Sequence, residues 1–219
     1  MARRHEPVLV VGLGRFGIAL ARELERNDIE VLGVDGSATT VQKYAGMLGN
    51  IVVADAGDMR ALEELGAADF RRAVVAIGTM ESNILATSNL VELGVDTVWA
   101  KAMSSSHALI LQRLGATHVV QPEHDMGRRI AHQVTGDVLD YLQIAPNWVI
   151  AKTKPPRFIV GTDLGETHLR EKYRITVIAV KPQGREHFRH AERSTRLSYG
   201  DEILVMGTTA DVNKFSSMQ

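Results

Sequence analysis

Cysteine is absent from the 219-residue sequence, which excludes disulfide bonds and metal sites with thiolate ligands. No apolar run approaches the roughly 20 residues that a membrane-spanning helix needs. The basic residues Arg3 and Arg4 are followed by no hydrophobic stretch of signal-peptide length. We therefore expect a cytoplasmic protein.

The sequence also has no excess of charge of either sign, since it contains 25 basic and 26 acidic side chains. Such a balance provides no field to hold a polyanion, so the sequence predicts no nucleic-acid partner. The shares of hydrophobic residues (45%) and charged residues (23%) are typical of a globular protein that can bury a core.

Short apolar runs alternate with amphipathic segments between Val8 and Val120. Because the apolar runs lack polar alternation, they indicate a sheet covered on both faces. Six such strands alternating with helices predict an α/β fold, a Rossmann-like doubly wound parallel sheet. The predicted strands are 8–11, 30–34, 51–54, 73–77, 97–100 and 118–120, and the predicted helices are 16–27, 39–48, 59–65, 81–93 and 107–114.

The pattern changes after a further predicted helix at 125–142. Pro146, Pro155 and Pro156 separate short β-like pieces, as expected of residues that cannot donate to a ladder. We predict a small α+β C-terminal lobe and two domains, 1–135 and 136–219. The elements predicted in this lobe are strands at 149–152, 158–160, 176–180, 187–189 and 203–206, and helices at 166–173 and 211–218.

The sequence Gly12-Leu13-Gly14-Arg15-Phe16-Gly17 follows the first predicted strand and opens the first predicted helix. In this context Gly12 permits a tight turn, Gly14 lets a pyrophosphate approach the backbone, and Gly17 lets helix and strand pack closely. The helix N-terminus offers N–H groups and partial positive charge to a phosphate. A nucleotide-free Rossmann-like fold is the alternative interpretation.

Asp35 stands at the end of the second predicted strand. A carboxylate there accepts ribose hydroxyls and repels a 2′-phosphate, which favours adenosine or NAD over NADP. Arg15 lies inside the glycine turn, where its guanidinium either forks onto a terminal phosphate or is simply solvated.

Further candidates follow later strands, because ligands of open α/β sheets bind at the carboxyl ends of the strands. For each of them, a helix cap or a solvated loop is the competing interpretation, although Lys101 is better placed than most to meet a phosphate. These candidates are Asp55 and Ala56 after the third strand, Ile77, Gly78 and Thr79 after the fourth, and Lys101, Ala102 and Met103 after the fifth.

Catalytic equipment is not evident in the sequence. A dehydrogenase must place a substrate and a general acid beside its nicotinamide, and none of the eight histidines stands in a recognisable catalytic or metal motif. We therefore expect a nucleotide-binding protein that is not an enzyme. A small NAD-dependent oxidoreductase and a redox-sensing DNA binder remain alternatives.

Several motifs together resemble the KtrA/TrkA-type RCK proteins, which regulate potassium conductance. The resemblance covers essentially the whole chain. It is carried by the glycine fingerprint with its arginine, Val75-Ala76-Ile77-Gly78, Trp99-Ala100-Lys101-Ala102, Leu114-Gly115-Ala116-Thr117-His118 and Pro122-Glu123-His124-Asp125-Met126-Gly127.

This resemblance implies that the N-terminal lobe binds ATP, ADP or NAD(H). It also implies that homodimers assemble into an octameric ring, which acts at the inner face of the membrane on a separate potassium-translocating subunit. Arg15 is then expected to reach a terminal phosphate across a dimer contact, and Glu123 to help hold a divalent cation. The implied nucleotide-binding residues are Gly12, Gly14, Arg15, Phe16, Gly17, Asp35, Gly36, Ser37, Asp55, Ala56, Ile77, Gly78, Thr79, Lys101, Ala102, Met103, His107 and Glu123.

The C-terminal lobe is similar to an RCK C-terminal domain, and some members of the family bind cyclic di-AMP there. The resemblance implies that Arg170, Thr176 and Val177 lie at that site. The sequence departs from the family where a proline-bearing loop is expected, since it has His190-Ala191 at that place.

Overall fold

The structure, a computed structural model, describes residues 6–134 and 138–218. It divides into two compact units, one within residues 1–123 and one within 124–219. The predicted domain boundary between residues 135 and 136 lies outside the described residues and stays a prediction. Among the residues described, no helix combines the length and the apolar character needed to cross a membrane.

The first unit contains a six-stranded sheet in which every pairing is parallel. The strand order β3-β2-β1-β4-β5-β6 reverses direction between β1 and β4, so a topological switch point lies between these two strands. The predicted Rossmann-like fold is confirmed. Its strands are β1 Val8–Val11, β2 Val31–Asp35, β3 Asn50–Val53, β4 Arg72–Val75, β5 Thr97–Lys101 and β6 His118–Val120.

Helices follow the strands and cover both faces of the sheet. The central strand β1 shows this most clearly, since Leu9 and Val11 pack in one buried cluster while Val8 and Val10 pack in another. A strand with both faces buried must be apolar without alternation, which explains its sequence. The helices are α1 Arg15–Arg26, α2 Ala38–Tyr44, α3 Met59–Glu64, α4 Met80–Glu92 and α5 Ser105–Arg113, and β6 is followed by α6 Pro122–Val134.

The second unit contains a five-stranded antiparallel sheet in the order β10-β9-β11-β8-β7. Alternate residues of β11 such as Ile203 and Val205 pack with Val212 and Phe215 of α8 in one buried cluster, which gives this unit its own core. Its elements are β7 Asp140–Ala145, β8 Trp148–Thr153, α7 Leu169–Tyr173, β9 Thr176–Lys181, β10 Arg189–His190, β11 Glu202–Thr208 and α8 Thr209–Ser216.

Two predictions for this unit were wrong. The helix predicted at 125–142 ends at Val134, and Asp140 begins β7, where pairing with β8 buries Tyr141. The strand predicted at 158–160 is instead a 3₁₀ turn, Arg157–Ile159, closed by a 3.1 Å hydrogen bond from the Ile159 N–H to the Pro156 carbonyl. The helix prediction failed because residues from Asp140 onwards pair with β8. The strand prediction failed because the chain turns after Pro156.

Three other elements were displaced by a few residues. The predicted helix 166–173 starts only at Leu169, after a separate 3₁₀ turn at Leu164–Glu166. The predicted return strand 187–189 is the two-residue β10. The helix predicted at 39–48 ends at Tyr44.

An ion-pair network on the second sheet makes a prediction about acid stability. Glu202 Oε2 lies 2.9 Å from Lys181 Nζ and 3.6 Å from Lys152 Nζ. These ammonium groups, Lys181 first, hold the pKa of the Glu202 carboxyl below its usual value. A carboxyl with a lowered folded-state pKa contributes stability above its unfolded pKa and loses that contribution as pH falls through the folded value.

We expect Glu202→Gln to lower the free energy of unfolding by roughly 0.5–1 kcal/mol at neutral pH, with a difference from wild type that shrinks towards about pH 3. Urea unfolding followed by circular dichroism at both pH values measures it. Glu186→Gln, in an exposed turn, is the control. An equal deficit at both pH values would contradict the ion-pair explanation.

Candidate functional site

The turn between β1 and α1 packs tightly against the end of β4. Gly12 has φ +90°, and a Cβ there would stand 2.8 Å from the Ile77 backbone nitrogen. A Cβ on Gly17 would overlap the Gly12 carbonyl oxygen and lie 3.2 Å from the Ala76 Cβ. The conformational roles predicted for these two glycines are therefore present in the structure.

Gly14 differs from the other two glycines of the turn. Leaving aside Gly14 itself and the chain directly next to it, no described atom lies within 4 Å of the position that its Cβ would occupy. Nothing within the folded unit itself therefore demands a glycine here. The open space above this residue fits a ligand that approaches the backbone.

The N-terminus of α1 carries unpaired N–H groups that could bind an anion. Gly14 is its N-cap, and over the described residues no side chain caps the helix and its first turn contains no acidic residue. The helix is 12 residues long, and its first N–H groups carry partial positive charge. The arrangement suits a phosphate group.

Asp35 ends β2 and is held beside this turn. Its Oδ2 accepts a 2.7 Å hydrogen bond from the Leu13 N–H, and its Oδ1 accepts a 2.9 Å bond from the Ser37 N–H. Because a carboxylate has about four acceptor positions, both oxygens can accept further hydrogen bonds. Ser37 in turn caps α2 through its hydroxyl, which accepts from the Thr40 N–H, and Gly36 lies between them in the same loop.

The loop after β3 is fixed by an asparagine that the sequence analysis missed. Asp55 Oδ1 accepts a 2.9 Å hydrogen bond from the Gly57 N–H, and Ala56 is buried. Asn89 Nδ2, on α4, donates to the carbonyl oxygens of Ala56 and Gly57 at 3.1 and 3.0 Å.

A second missed asparagine joins the ends of β4 and β5. Asn83 is fully buried on α4, and its Nδ2 donates to the Ile77 and Lys101 carbonyls, both at 3.1 Å. Thus one amide positions the segments 77–79 and 101–103, both predicted to line the site. Gly78, Thr79 and Met103 are exposed, whereas Ala102 is buried.

His107 lies fully buried in the first turn of α5. Its Nδ1 accepts a 3.3 Å hydrogen bond from the Met103 N–H, and burial lowers the pKa of its imidazole. The ring is therefore neutral at neutral pH, with its proton on Nε2. Within the part of the chain that the structure describes, this Nε2 has no hydrogen-bond partner, so it is an unsatisfied buried donor.

An ion pair between Lys101 and Glu123 lies at the end of β5. Lys101 Nζ lies 2.7 Å from Glu123 Oε1, near the start of α6, and the two side chains are 12% and 65% exposed. The pKa of the Glu123 carboxyl lies below its usual value, first because of the hydrogen bond from Lys101 and also because of the positive charge of Arg15. Arg15 itself is exposed, and Phe16 is half-buried.

The predicted nucleotide-binding residues thus come together within the first unit. They belong to the segments that follow β1 to β5, and Glu123 joins them through its ion pair with Lys101. In residues 6–134 and 138–218 there is no group of three His, Asp or Glu side chains that could hold a metal ion.

The three candidates in the second unit also lie together. Arg170, Thr176 and Val177 line a cavity of about 300 Å³, together with Ala191. The Arg170 Nε donates a 3.2 Å hydrogen bond to the Thr176 hydroxyl.

Family models match both units. A TrkA-N domain matches residues 8–122 and a TrkA-C domain matches residues 149–218. The chain is 34% identical over 208 residues to the Ktr system potassium uptake protein C of Bacillus subtilis (strain 168), covering 94% of each chain. It is 31% identical over 216 residues to the Ktr system potassium uptake protein A of the same organism, covering 98% of this chain and 97% of the relative.

Solved structures share the fold. The RCK domain of GsuK has a TM-score of 0.66 at 18% identity, over 100% of this chain and 48% of that chain. The GsuK channel bound to NAD has a TM-score of 0.65 at 19% identity, over 97% and 39%. GsuK bound to ADP has a TM-score of 0.54 at 20% identity, over 62% and 36%. This chain therefore spans less than half the length of these GsuK chains.

The resemblance inferred from the motifs is confirmed. The TrkA-N match alone covers just over half of the chain, and two relatives are more than 30% identical over nearly its whole length. The chain belongs to the TrkA-type family that includes the Ktr system potassium uptake proteins.

Proposed function

We propose that this chain is a cytosolic regulatory subunit of a potassium uptake system, controlled by a nucleotide bound in its first unit. The observation that carries the proposal is the uncapped N-terminus of α1 beside Asp35, in a member of a family whose relatives are named for potassium uptake. The polar side chains at this site, among them Asp35, Asp55 and Asn83, hydrogen-bond backbone groups, and we propose regulation and not catalysis. Steady NADH oxidation with a carbonyl substrate would contradict this and favour an oxidoreductase.

The ligand is ATP, ADP or NAD(H). Two observations fit such a molecule: the open space at Gly14 and the uncapped N–H groups of α1. The α1 N-terminus and its turn would bind the phosphates, and Asp35 would accept the ribose hydroxyls. Asp55 and Ala56 would border the adenine, while the segments 77–79 and 101–103 would line the remainder.

Arg15 links the nucleotide to assembly. It is exposed at the first position of α1, where a guanidinium can fork onto a terminal phosphate held by another subunit. We propose a homodimer within an octameric ring that acts on a membrane-embedded potassium-translocating subunit. ATP and ADP shift the ring only as far as their affinities for its two shapes differ.

A divalent cation bound by Glu123 would need further ligands from outside the chain. Glu123 supplies one carboxylate, and among the described residues it belongs to no group of three side chains that could hold a metal ion. We propose that any such cation takes its other ligands from nucleotide phosphates and water, as Mg²⁺ commonly does.

The second unit is proposed to bind cyclic di-AMP. The cavity lined by Arg170, Thr176 and Val177 is at the small end of the range for ligand pockets, so we propose that each subunit contributes half of the site. Equilibrium dialysis with labelled cyclic di-AMP tests this part of the proposal, and no retention by the protein would remove it.

We predict that Asp35→Asn abolishes nucleotide control of potassium uptake. An amide retains one acceptor oxygen, so it cannot serve the Leu13 N–H, the Ser37 N–H and a ribose together. Potassium uptake is measured in cells that lack their own uptake systems and carry a Ktr-type membrane subunit with this chain. Wild type should raise uptake severalfold, whereas the variant should not.

Asp58→Asn is the matched control, since Asp58 accepts a hydrogen bond from the Arg60 N–H outside the site. It should support wild-type uptake. If wild type itself leaves uptake unchanged, the regulatory proposal is wrong. If both variants act as wild type does, control does not pass through Asp35.

We predict that Arg15→Ala weakens ATP binding by roughly tenfold or more and ADP binding much less, because a forked contact to a terminal phosphate is lost. Calorimetric titration with ATP, ADP and NADH in the presence of magnesium measures this. Arg22→Ala, exposed on the same helix, should bind both nucleotides as wild type does. Equal weakening of ATP and ADP would remove the terminal-phosphate role.

A further inference from the structure

The ion pair between Lys101 and Glu123 is unequal. The Lys101 side chain is 12% exposed, and the backbone of this last residue of β5 is held by Asn83, whereas the Glu123 side chain is 65% exposed. A nearly buried ammonium is costly without a counter-ion. Glu123, 2.7 Å away, supplies that counter-ion in the free protein.

The pair stands close to the site where phosphate is expected. Arg15 at the start of α1 is near enough to Glu123 to contribute to lowering the pKa of its carboxyl. Lys101 and Arg15, the two cations that a phosphate would contact, thus both interact electrostatically with the Glu123 carboxylate. A phosphate oxygen that meets Lys101 must either replace this carboxylate or lie beside it, and two anions on one ammonium repel each other.

Of the two partners, Glu123 is the one free to move. Its exposed side chain can turn into water at little cost, because an exposed carboxylate keeps most of its hydration. Lys101 has no comparable exposure. Exchange of the carboxylate for a phosphate would therefore leave Lys101 paired throughout.

We propose that Glu123 is an internal anion that competes with the phosphates of a nucleotide for Lys101, and so weakens nucleotide binding when no divalent cation is present. This inference rests on the proposed nucleotide function and specifies how its site is regulated. The competing account is that Glu123 only anchors the start of α6 to β5. In that case its loss would leave nucleotide affinity unchanged or reduce it.

The test is calorimetric titration of ADP into the full chain with a chelator present. Removing the carboxylate's charge in Glu123→Gln should tighten ADP binding about three- to tenfold. Glu81→Gln removes the same charge from an exposed position in the first turn of α4 and should stay within about twofold of wild type. Equal or weaker binding by Glu123→Gln, against measurable binding by wild type, would overturn the proposal.

A double-mutant cycle tests whether the effect passes through Lys101. Lys101→Met should weaken ADP binding, and adding Glu123→Gln to it should produce no tightening. If the tightening persists in that background, a general charge effect explains it and the competition is rejected. If wild type binds no nucleotide at all, the proposed function fails first. If Lys101→Met does not fold, the comparison of Glu123→Gln with Glu81→Gln alone decides.

Discussion

The close approach of the β1–α1 turn to the end of β4 is the constraint on which the first unit depends. A side chain at Gly12 would press into the Ile77 backbone, and one at Gly17 would overlap the Gly12 carbonyl. Only with both glycines can the α1 N-terminus lie at the switch point between β1 and β4. The same turn presents the Leu13 N–H to Asp35, so one hydrogen bond joins the turn proposed to bind phosphate to the carboxylate proposed to bind ribose.

Two asparagine amides on α4, the buried Asn83 and the half-buried Asn89, fix the neighbouring loops. Asn83 joins the ends of β4 and β5, and Asn89 holds the loop after β3. Each amide donates hydrogen bonds to two backbone carbonyls and so ties two points of the backbone together. The loops that would contact a nucleotide are thereby positioned before it arrives, which reduces the entropy lost on binding.

Much of this could be predicted from the sequence because the decisive signals are local. The apolar strands and the glycine fingerprint depend on neighbouring residues, and they led to the parallel sheet and to Asp35. Asn83 and Asn89 were missed because an asparagine in a helix shows its role only when its distant carbonyl partners are known. The sequence signal for Asn83 was its position, four residues before Thr87, on the face of α4 that is otherwise apolar and buried.

Two other features, the strand β7 and the ion pair between Lys101 and Glu123, could not be predicted because they depend on contacts between residues distant in the sequence. The helix predicted at 125–142 contained residues that pair with β8, and sequence periodicity does not report such pairing. The ion pair between Lys101 and Glu123 joins residues 22 positions apart, and its unequal exposure exists only in the folded chain. Charge in the sequence therefore identified candidates, while folding determined which charges meet.

Amide hydrogen exchange with and without saturating ADP would show whether a nucleotide binds at the carboxyl ends of the first sheet. We expect slower exchange in 12–17, 35–37 and 101–103, because these backbone segments would lie against the ligand. Unchanged exchange in these three segments, with protection confined to the cavity residues 164–177 of the second unit, would contradict this expectation.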